Sequence, residues 1–159
     1  MNQVIISEMH SGEEIEVSKL IMDVFGVFIG PGYVPQGVEE FAKYVEAEAL
    51  RNRQISGDHY ALVAREEARI IGFLEMRNNC HLSLLFVHSD YHRKGIARRL
   101  LHQGMDAVRK SGVNPGFITV KSSPYAVPAY ERMGFITAEN EQEENGIRFV
   151  PMKKIFQSA

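Results

Sequence analysis

Residues 82–101 contain the clearest grouping of chemically useful side chains in this chain. An apolar run at residues 82–87 is typical of a buried strand, and a helical pattern follows from Gly95. The first amides of a helix lack internal partners and carry the positive end of its dipole, while glycine lets a ligand approach the backbone. The sequence therefore predicts an anion-binding site. Four basic side chains add positive charge: Arg93, Lys94, Arg98 and Arg99.

The segment at residues 92–97 resembles the acyl-CoA pyrophosphate loop of the GNAT superfamily of N-acetyltransferases. That loop has Arg or Gln, two residues, Gly, one residue, and then Gly or Ala. Gly95 and Ala97 match, whereas His92 departs from the pattern and affects one side-chain contact. For this stretch alone, the alternative is an ordinary strand-to-helix connection with a solvated basic face. The resemblance implies acetyl-CoA contacts from the loop and helix start: His92, Arg93, Lys94, Gly95, Ile96, Ala97 and Arg98.

Residues 123–135 are similar to a second GNAT signature, in which Asn is followed by Ala, Tyr and a helix that ends in Gly-Phe. Ala126, Tyr130, Gly134 and Phe135 match it in spacing, and Ser123 stands where Asn is common. Two motifs in the right order are more specific than either one alone. The resemblance implies that Ser123 and Tyr130 also contact the cofactor.

The resemblance implies an enzyme that transfers an acetyl group from acetyl-CoA to a primary amine, which attacks the thioester directly. No metal is expected. The amine must lose a proton, the developing oxyanion needs a donor, and the leaving thiolate needs an acid. The alternative function is a non-catalytic acyl-CoA-binding or regulatory module, because fold and cofactor site alone do not separate the two.

Tyr130 is the candidate acid, since the motif places it where the family's tyrosine faces the CoA sulfur. A phenol with a pKa of about 10 can protonate a thiolate whose thiol has a pKa of about 8.5. The alternative role is packing of the last helix against the sheet. The resemblance also implies a bulge at the end of the strand predicted at residues 80–87. There the backbone of Leu85, Phe86 and Val87 is expected to contact the pantetheine and the thioester oxygen.

His81 is the candidate base and Glu75 is its rival. His81 lies near the position where related enzymes carry a catalytic carboxylate, and an imidazole with a pKa of about 6.5 accepts a proton at neutral pH. The alternative for His81 is a half-buried histidine without a catalytic role. Ser83 lies on the same predicted face as His81 and is a candidate for positioning a water.

The hairpin before His81 decides between the two candidates. A two-residue turn at Asn78-Asn79 would pair Met76 with His81 and Glu75 with Leu82. Because neighbouring strand residues alternate, His81 and Glu75 are then expected on opposite faces. His81 would share its parity with Leu85 and Val87, unless a bulge before Val87 shifts that parity by one.

The elements that must position these residues predict a mixed α/β fold in three layers, with a mostly antiparallel central sheet flanked by helices. The predicted order, βααβββαβαββ, is also the one the GNAT resemblance implies. Capping-box spacing at Ser11 and Glu14 predicts the first helix start, and Asn145-Gly146 predicts a tight turn. Strands are predicted at residues 4–8, 59–65, 70–77, 80–87, 117–121, 135–139 and 147–153. Helices are predicted from residue 11 and at residues 38–53, 95–110 and 124–133. Loops are predicted at residues 26–37 and 141–146.

Composition excludes several classes of protein. The chain has 159 residues, 45% of them hydrophobic and 24% charged, and a net charge of -2. We therefore expect one globular acetyltransferase domain at residues 1–159, with no nucleic acid or membrane as partner. No apolar run approaches the ~18 residues that a membrane span needs, and no signal-peptide pattern is present. Cys80 is the single cysteine, so the cytoplasm is the expected location. A homodimer stays open.

Other readings of the same residues are weaker. His88 and His92 have the spacing of metal ligands but span a strand end and a loop, without the glutamate of a metalloprotease motif. Cys80 and His81 are neighbours in a strand and point apart, which argues against a cysteine hydrolase. The acceptor is expected to be a small-molecule or peptide amine. The loop at residues 26–37 is expected to wall its site, and the acidic segment at residues 139–144 would attract a cation unless it is a solvated turn.

Overall fold

The computed structural model describes residues 3–78 and 80–156. The strands are β1 Val4–Glu8, β2 His59–Glu66, β3 Arg69–Arg77, β4 His81–Val87, β5 Phe117–Ser122, β6 Ile136–Thr137, β7 Gln142–Glu144 and β8 Ile147–Ile155. The α-helices are α1 Glu14–Phe28, α2 Pro35–Tyr44, α3 Ala47–Ser56, α4 Ile96–Lys110 and α5 Val127–Arg132. Single turns of 3-10 helix lie at Gly30–Gly32, Ser89–Tyr91 and Pro124–Ala126.

The strands form one sheet in the order β1-β2-β3-β4-β5-β8-β6, and β7 pairs with β8 beside this path. Neighbouring strands are antiparallel except β4 and β5, which are parallel. A parallel pair needs a crossover connection, and α4 provides it. One buried cluster packs α4 and α5 on the sheet, and a second packs α1, α2 and α3 on the other face. The predicted three-layer α/β fold with a mostly antiparallel sheet is confirmed.

The central strand β3 is buried from Ile70 to Met76, because helices cover both of its faces. Its side chains alternate between the two clusters: Leu74 and Met76 join the α4 side, while Phe73 joins the α1 side. Because of this alternation, the face of any residue on β3 or on its partner strand β4 can be read from the pairing of the two strands. The same pairing places the candidate catalytic side chains.

The region before β2 is more helical than its sequence predicts. α1 begins at Glu14 rather than Ser11, and the backbone N–H groups of His10 and Gly12 donate to the carboxylates of Glu13 and Glu14 at 2.6 and 2.8 Å. The predicted loop at residues 26–37 shrinks to a short connection between α1 and α2, since Pro35 suits the first turn of a helix. The single helix predicted at residues 38–53 is instead two helices, which are separated at Val45, a fully buried residue.

The hairpin between β3 and β4 corrects the predicted register. Arg77 pairs with His81, so the turn has three residues, of which Asn79 lies outside the described residues. Met76 then pairs with Leu82 and Glu75 with Leu84, which leaves Ser83 as the extra residue of a β-bulge. The predicted pairs of Met76 with His81 and of Glu75 with Leu82 are therefore wrong.

The turn predicted at Asn145-Gly146 is confirmed, because both residues have positive φ and connect the paired residues Glu144 and Ile147. The connection before it contains β7, a strand that the predicted order lacks. Within residues 3–78 and 80–156, no helix is long and apolar enough to cross a membrane.

Candidate active site

A cleft opens in the sheet where β4 and β5 separate. These strands pair at His81 with Thr119 and at Leu82 with Val120, and no further pair follows along the described residues. Beyond the bulge at Ser83, the backbone of β4 is therefore free of β5. Two cavities meet at this gap, and five residues line both of them: Ile29, Leu85, Phe86, Ala126 and Tyr130.

The first cavity, of about 400 Å³, lies at the start of α4, and we call it the donor cavity. It is lined by most of the residues predicted to contact acetyl-CoA: Leu85, Phe86, Val87, His92, Arg93, Gly95, Ile96, Ala97, Arg98 and Tyr130. Two predicted contacts lie elsewhere. The ammonium of Lys94 is 5.4 Å from the ring centre of Tyr91, and Ser123 lines the second cavity.

The loop before α4 forms an open cradle for an anion. Gly95 has a φ of 78°, and a β-carbon built on it would meet nothing within 4 Å. The first helical hydrogen bond of α4 runs from the amide of Arg99 to the carbonyl of Gly95, so the amides of Ile96, Ala97 and Arg98 precede it. Free amides, open space and the positive end of a 15-residue helix fit a pyrophosphate group.

The basic side chains around this cradle are not equivalent. The guanidinium groups of Arg98 and Arg99 donate to the carbonyls of Arg132 and Val4, at 2.8 and 3.0 Å. Arg93 lines the donor cavity and has no ion pair among the described residues. Arg93 is therefore the guanidinium most available to a bound phosphate.

His92, the departure from the loop pattern, has a positioning contact. Its Nε2 lies 2.7 Å from the carbonyl oxygen of Val87, and since a carbonyl only accepts, Nε2 carries the proton and donates. The ring centre lies 5.3 Å from that of Phe28 on α1. His92 thus connects the loop to the end of β4 and to the wall of the donor cavity.

The second cavity, of about 340 Å³, lies between the sheet and the helices α1 and α2, and we call it the acceptor cavity. Seven phenylalanine and tyrosine residues line it: Phe25, Tyr33, Phe41, Tyr44, Phe86, Tyr130 and Phe149. Its polar lining includes Glu40, Arg77, His81, Ser83, Lys121, Ser123, Glu144 and Asn145. The hydroxyl oxygen of Ser83 is buried and has no hydrogen-bond partner among the described residues, so it is available to a water or a ligand.

Tyr130 lies at the junction of the two cavities. Its side chain is almost fully buried on α5, and its ring packs edge-on against Phe135 with centres 5.3 Å apart. Burial raises the pKa of the Tyr130 hydroxyl, which stays protonated at neutral pH. The side chain can therefore donate a proton but cannot act as a base.

His81 projects into the acceptor cavity in a defined tautomer. Its Nδ1 lies 2.8 Å from the hydroxyl of Thr119, which itself donates to the carbonyl of Cys80 at 3.3 Å. A hydroxyl has one proton to donate, so Nδ1 donates to Thr119 and Nε2 keeps its lone pair. Burial, then the charges of Arg77 and Lys121, lower the pKa of His81 to about 4, so the expectation of a group that titrates near pH 6.5 is corrected.

Glu75 does not line either cavity. Its side chain is completely buried, and Nε of Arg53 donates to both of its carboxylate oxygens at 3.2 and 3.1 Å. Glu75 pairs with Leu84, which faces the α1 side, and the bulge at Ser83 places His81 on that same side. The expectation that Glu75 and His81 face opposite sides is therefore wrong.

Two residues in this region were missed from the sequence. Thr119 fixes the tautomer of His81 from β5, and Arg53 neutralises Glu75 from α3. Alternation along β5 could have predicted that Thr119 faces away from its buried neighbours on that strand. It could not have placed Thr119 beside His81, because the parallel pairing of β4 with β5 joins residues 38 positions apart. No three His, Cys, Asp or Glu side chains group as metal ligands anywhere in the described ranges.

The chain is similar to known proteins over most of its length. Residues 29–156 match the family model described as an acetyltransferase (GNAT) domain. The "Uncharacterized N-acetyltransferase YafP" of Escherichia coli K12 is 26% identical over 147 residues, covering 91% of this chain and 89% of that protein.

Two solved structures share the fold. A GCN5-related N-acetyltransferase from Rhodopseudomonas palustris superimposes with a TM-score of 0.81 at 18% identity, covering 98% of this chain and 97% of the other. The PaiA N-acetyltransferase from Thermoplasma acidophilum, in complex with coenzyme A, gives a TM-score of 0.81 at 18% identity and covers 97% and 99% of the two chains.

Proposed function

Because the chain belongs to the GNAT family of acetyltransferases, we propose that it moves an acetyl group from acetyl-CoA to a primary amine by direct attack. The observation that carries the proposal is the junction of the two cavities at Leu85, Phe86 and Tyr130. A donor in one cavity and an amine in the other would meet there. We take residues 1–159 as a single acetyltransferase domain, because both hydrophobic clusters pack on the same sheet.

The donor cavity is proposed to hold acetyl-CoA. The amides of Ile96, Ala97 and Arg98 and the guanidinium of Arg93 would bind the pyrophosphate. The backbone groups of Leu85 to Val87 that do not pair with β3 would align the pantetheine and donate to the charge that develops on the acyl oxygen. Acetyl-CoA, when bound, supplies an acyl carbon activated as a thioester.

Tyr130 is proposed as the general acid. A nitrogen-to-carbon bond forms as the carbon-to-sulfur bond breaks, and the hydroxyl of Tyr130 gives its proton to the leaving sulfur. Burial raises the pKa of the Tyr130 hydroxyl, so the group keeps its proton until the negative sulfur develops.

His81 is proposed to bind the amine as a hydrogen-bond acceptor and not to act as the general base that takes its proton. With a pKa of about 4, its neutral Nε2 accepts a hydrogen bond from the amine and orients the nitrogen lone pair. The proton of the amine then leaves through water near the hydroxyl of Ser83. Glu75 has no direct step in this proposal because Arg53 binds both of its oxygens.

Release of free CoA thiol from acetyl-CoA, measured with a panel of primary amines, tests the function. We expect release that depends on the amine and yields the N-acetyl product by mass spectrometry. Binding of acetyl-CoA without release for any amine would instead indicate the non-catalytic binding module. The cytoplasmic location and a homodimer stay predictions, for fractionation and light scattering respectively.

A further inference from the structure

The acceptor cavity has two basic side chains on β3 and β5, the strands that flank β4. Arg77 pairs with His81 across the hairpin, and Lys121 follows Thr119, the partner of His81 on β5, by two residues. Both line the cavity, and both are close enough to His81 to lower its pKa. The part of the cavity around His81 therefore has two positively charged side chains.

The nearby carboxylates leave part of this charge uncompensated. Glu75, the acidic residue on the same face of β3, is bound by Arg53. Glu144 lies 3.9 Å from Lys121, and Glu141 pairs with Arg148 at 2.8 Å. Along the described residues, Arg77 has no ion pair.

The remaining carboxylate of the cavity is Glu40, which comes from α2. Of the acidic segment at residues 139–144, Glu144 lines the cavity, and its pairing with Lys121 reduces its attraction for a cationic acceptor. A free guanidinium is, by contrast, the preferred partner of a carboxylate, because its planar donors match both oxygens.

The distance between His81 and Leu85 limits the shape of an acceptor. His81 precedes Leu85 by four positions on β4, which spans roughly 10–13 Å with the bulge. An acceptor whose amine attacks beside Leu85, within reach of Nε2 of His81, and whose carboxylate binds Arg77 would therefore have to extend along β4. The walls of the cavity include aromatic residues: Phe25, Phe41, Phe86 and Phe149.

Resting on the proposed acetyl transfer, we propose that the acceptor is an elongated anionic small molecule with a primary amine at one end. Its carboxylate binds Arg77 and Lys121, and a flat apolar body packs against the aromatic wall that contains Phe41 and Phe86, whose ring centres lie 5.9 Å apart. A cavity of about 340 Å³ suits a small molecule rather than a folded partner.

Three acceptors of one shape test this proposal: 4-(2-aminoethyl)benzoate, the neutral 4-(2-aminoethyl)benzamide and the cationic 4-(aminomethyl)phenethylamine. We measure kcat/KM for thiol release, and separately the affinity of each compound for the CoA-bound protein by calorimetry. The benzoate is expected to exceed the benzamide about tenfold in both, which corresponds to about 1.4 kcal/mol. The diamine is expected to be the weakest of the three.

Two variants assign the preference to the named side chains. In Arg77→Gln combined with Lys121→Gln, the benzoate-to-benzamide ratio should fall to about one. Lys110→Gln removes a positive charge from an exposed position that lines neither cavity, and should leave the ratio at about ten. Retained CoA binding shows that each variant is folded.

The outcomes distinguish a failure of the proposed anionic acceptor from a failure of the proposed acetyl transfer. Equal thiol release from all three amines, no binding of the benzoate, or a ratio that survives the double substitution would overturn the anionic acceptor. Tenfold preferential binding of the benzoate without thiol release would uphold the anion site and contradict acetyl transfer.

Discussion

Glu75 and His81 project from the same face of the sheet, towards α1 and α3, but only His81 reaches the acceptor cavity. Arg53 contacts both Glu75 and a residue of the cavity wall. Its Nε donates to the carboxylate, and its guanidinium carbon lies 3.9 Å from the ring centre of Tyr44, a cavity wall. Glu75 is therefore connected to the cavity wall through Arg53 and Tyr44, whereas His81 lines the cavity itself.

Glu75→Gln should lower stability and weaken acceptor binding. Arg53 is mostly buried, and losing its partner leaves a charge that costs about 3 kcal/mol. Because Tyr44 would lose its support, KM for the amine should rise about fivefold, while acetyl-CoA affinity stays within twofold. Urea unfolding and steady-state kinetics measure both effects. Glu48→Gln is the control, because Glu48 is exposed on α3. A pH-dependent collapse of turnover in Glu75→Gln would instead assign the role of general base to Glu75.

His81→Gln should slow acetyl transfer without changing the shape of the rate profile between pH 5 and 8. The pKa of His81 is about 4, so the imidazole is already neutral throughout that range. We expect turnover to fall by roughly 10 to 10²-fold, the scale of losing a positioned polar group. An inflection near pH 6–7 that disappears in the variant would show that His81 titrates as a general base.

Acid should destabilise the protein through His81. The folded pKa of about 4 is below the ordinary value of 6.5, so the unfolded chain binds the proton more readily. The folding stability that the neutral imidazole of His81 contributes is complete above pH 6.5 and is lost as the pH falls towards 4. In His81→Gln the unfolding free energy should therefore depend less on pH in this window. Parallel curves for both proteins in denaturant titrations would contradict the lowered pKa.

Gly95→Glu should abolish acetyl-CoA binding with the fold intact. A carboxylate would enter the open space before the first amides of α4 and repel the pyrophosphate. Gly112→Glu is the matched control, because Gly112 has a similar φ of +82° and equally open surroundings at the other end of the same helix. Calorimetry should detect no binding in the first variant and normal affinity in the second. Unchanged affinity in a folded Gly95→Glu would remove this loop from the site.

Tyr130→Phe should lower turnover by roughly 10²-fold with little change in acetyl-CoA affinity, because only the proton donor is lost. The ring keeps its edge-on contact with Phe135, so packing is preserved. Tyr60→Phe, which removes a hydroxyl that lines neither cavity, is the control. Wild-type turnover on the best acceptor would assign Tyr130 to packing alone.

The parts of this protein that the sequence alone determined depend on local chemistry. The start of α4 behind Gly95, the Asn145-Gly146 turn and the bounds of β1 follow from residues that are neighbours in the chain. Glycine at positive φ, and apolar runs of strand length, specify these features without any distant partner. The two motifs were sufficient to predict the family and the residues around the donor cavity.

The tertiary structure alone decided which side chains meet in the acceptor cavity. Side chains of a strand alternate with a period of two, so the single extra residue at Ser83 reversed the predicted face of His81 relative to Leu85. The pairs of His81 with Thr119 and of Arg53 with Glu75 join residues 38 and 22 positions apart. Such contacts depend on how strands and helices pack, and local patterns carry no information about them.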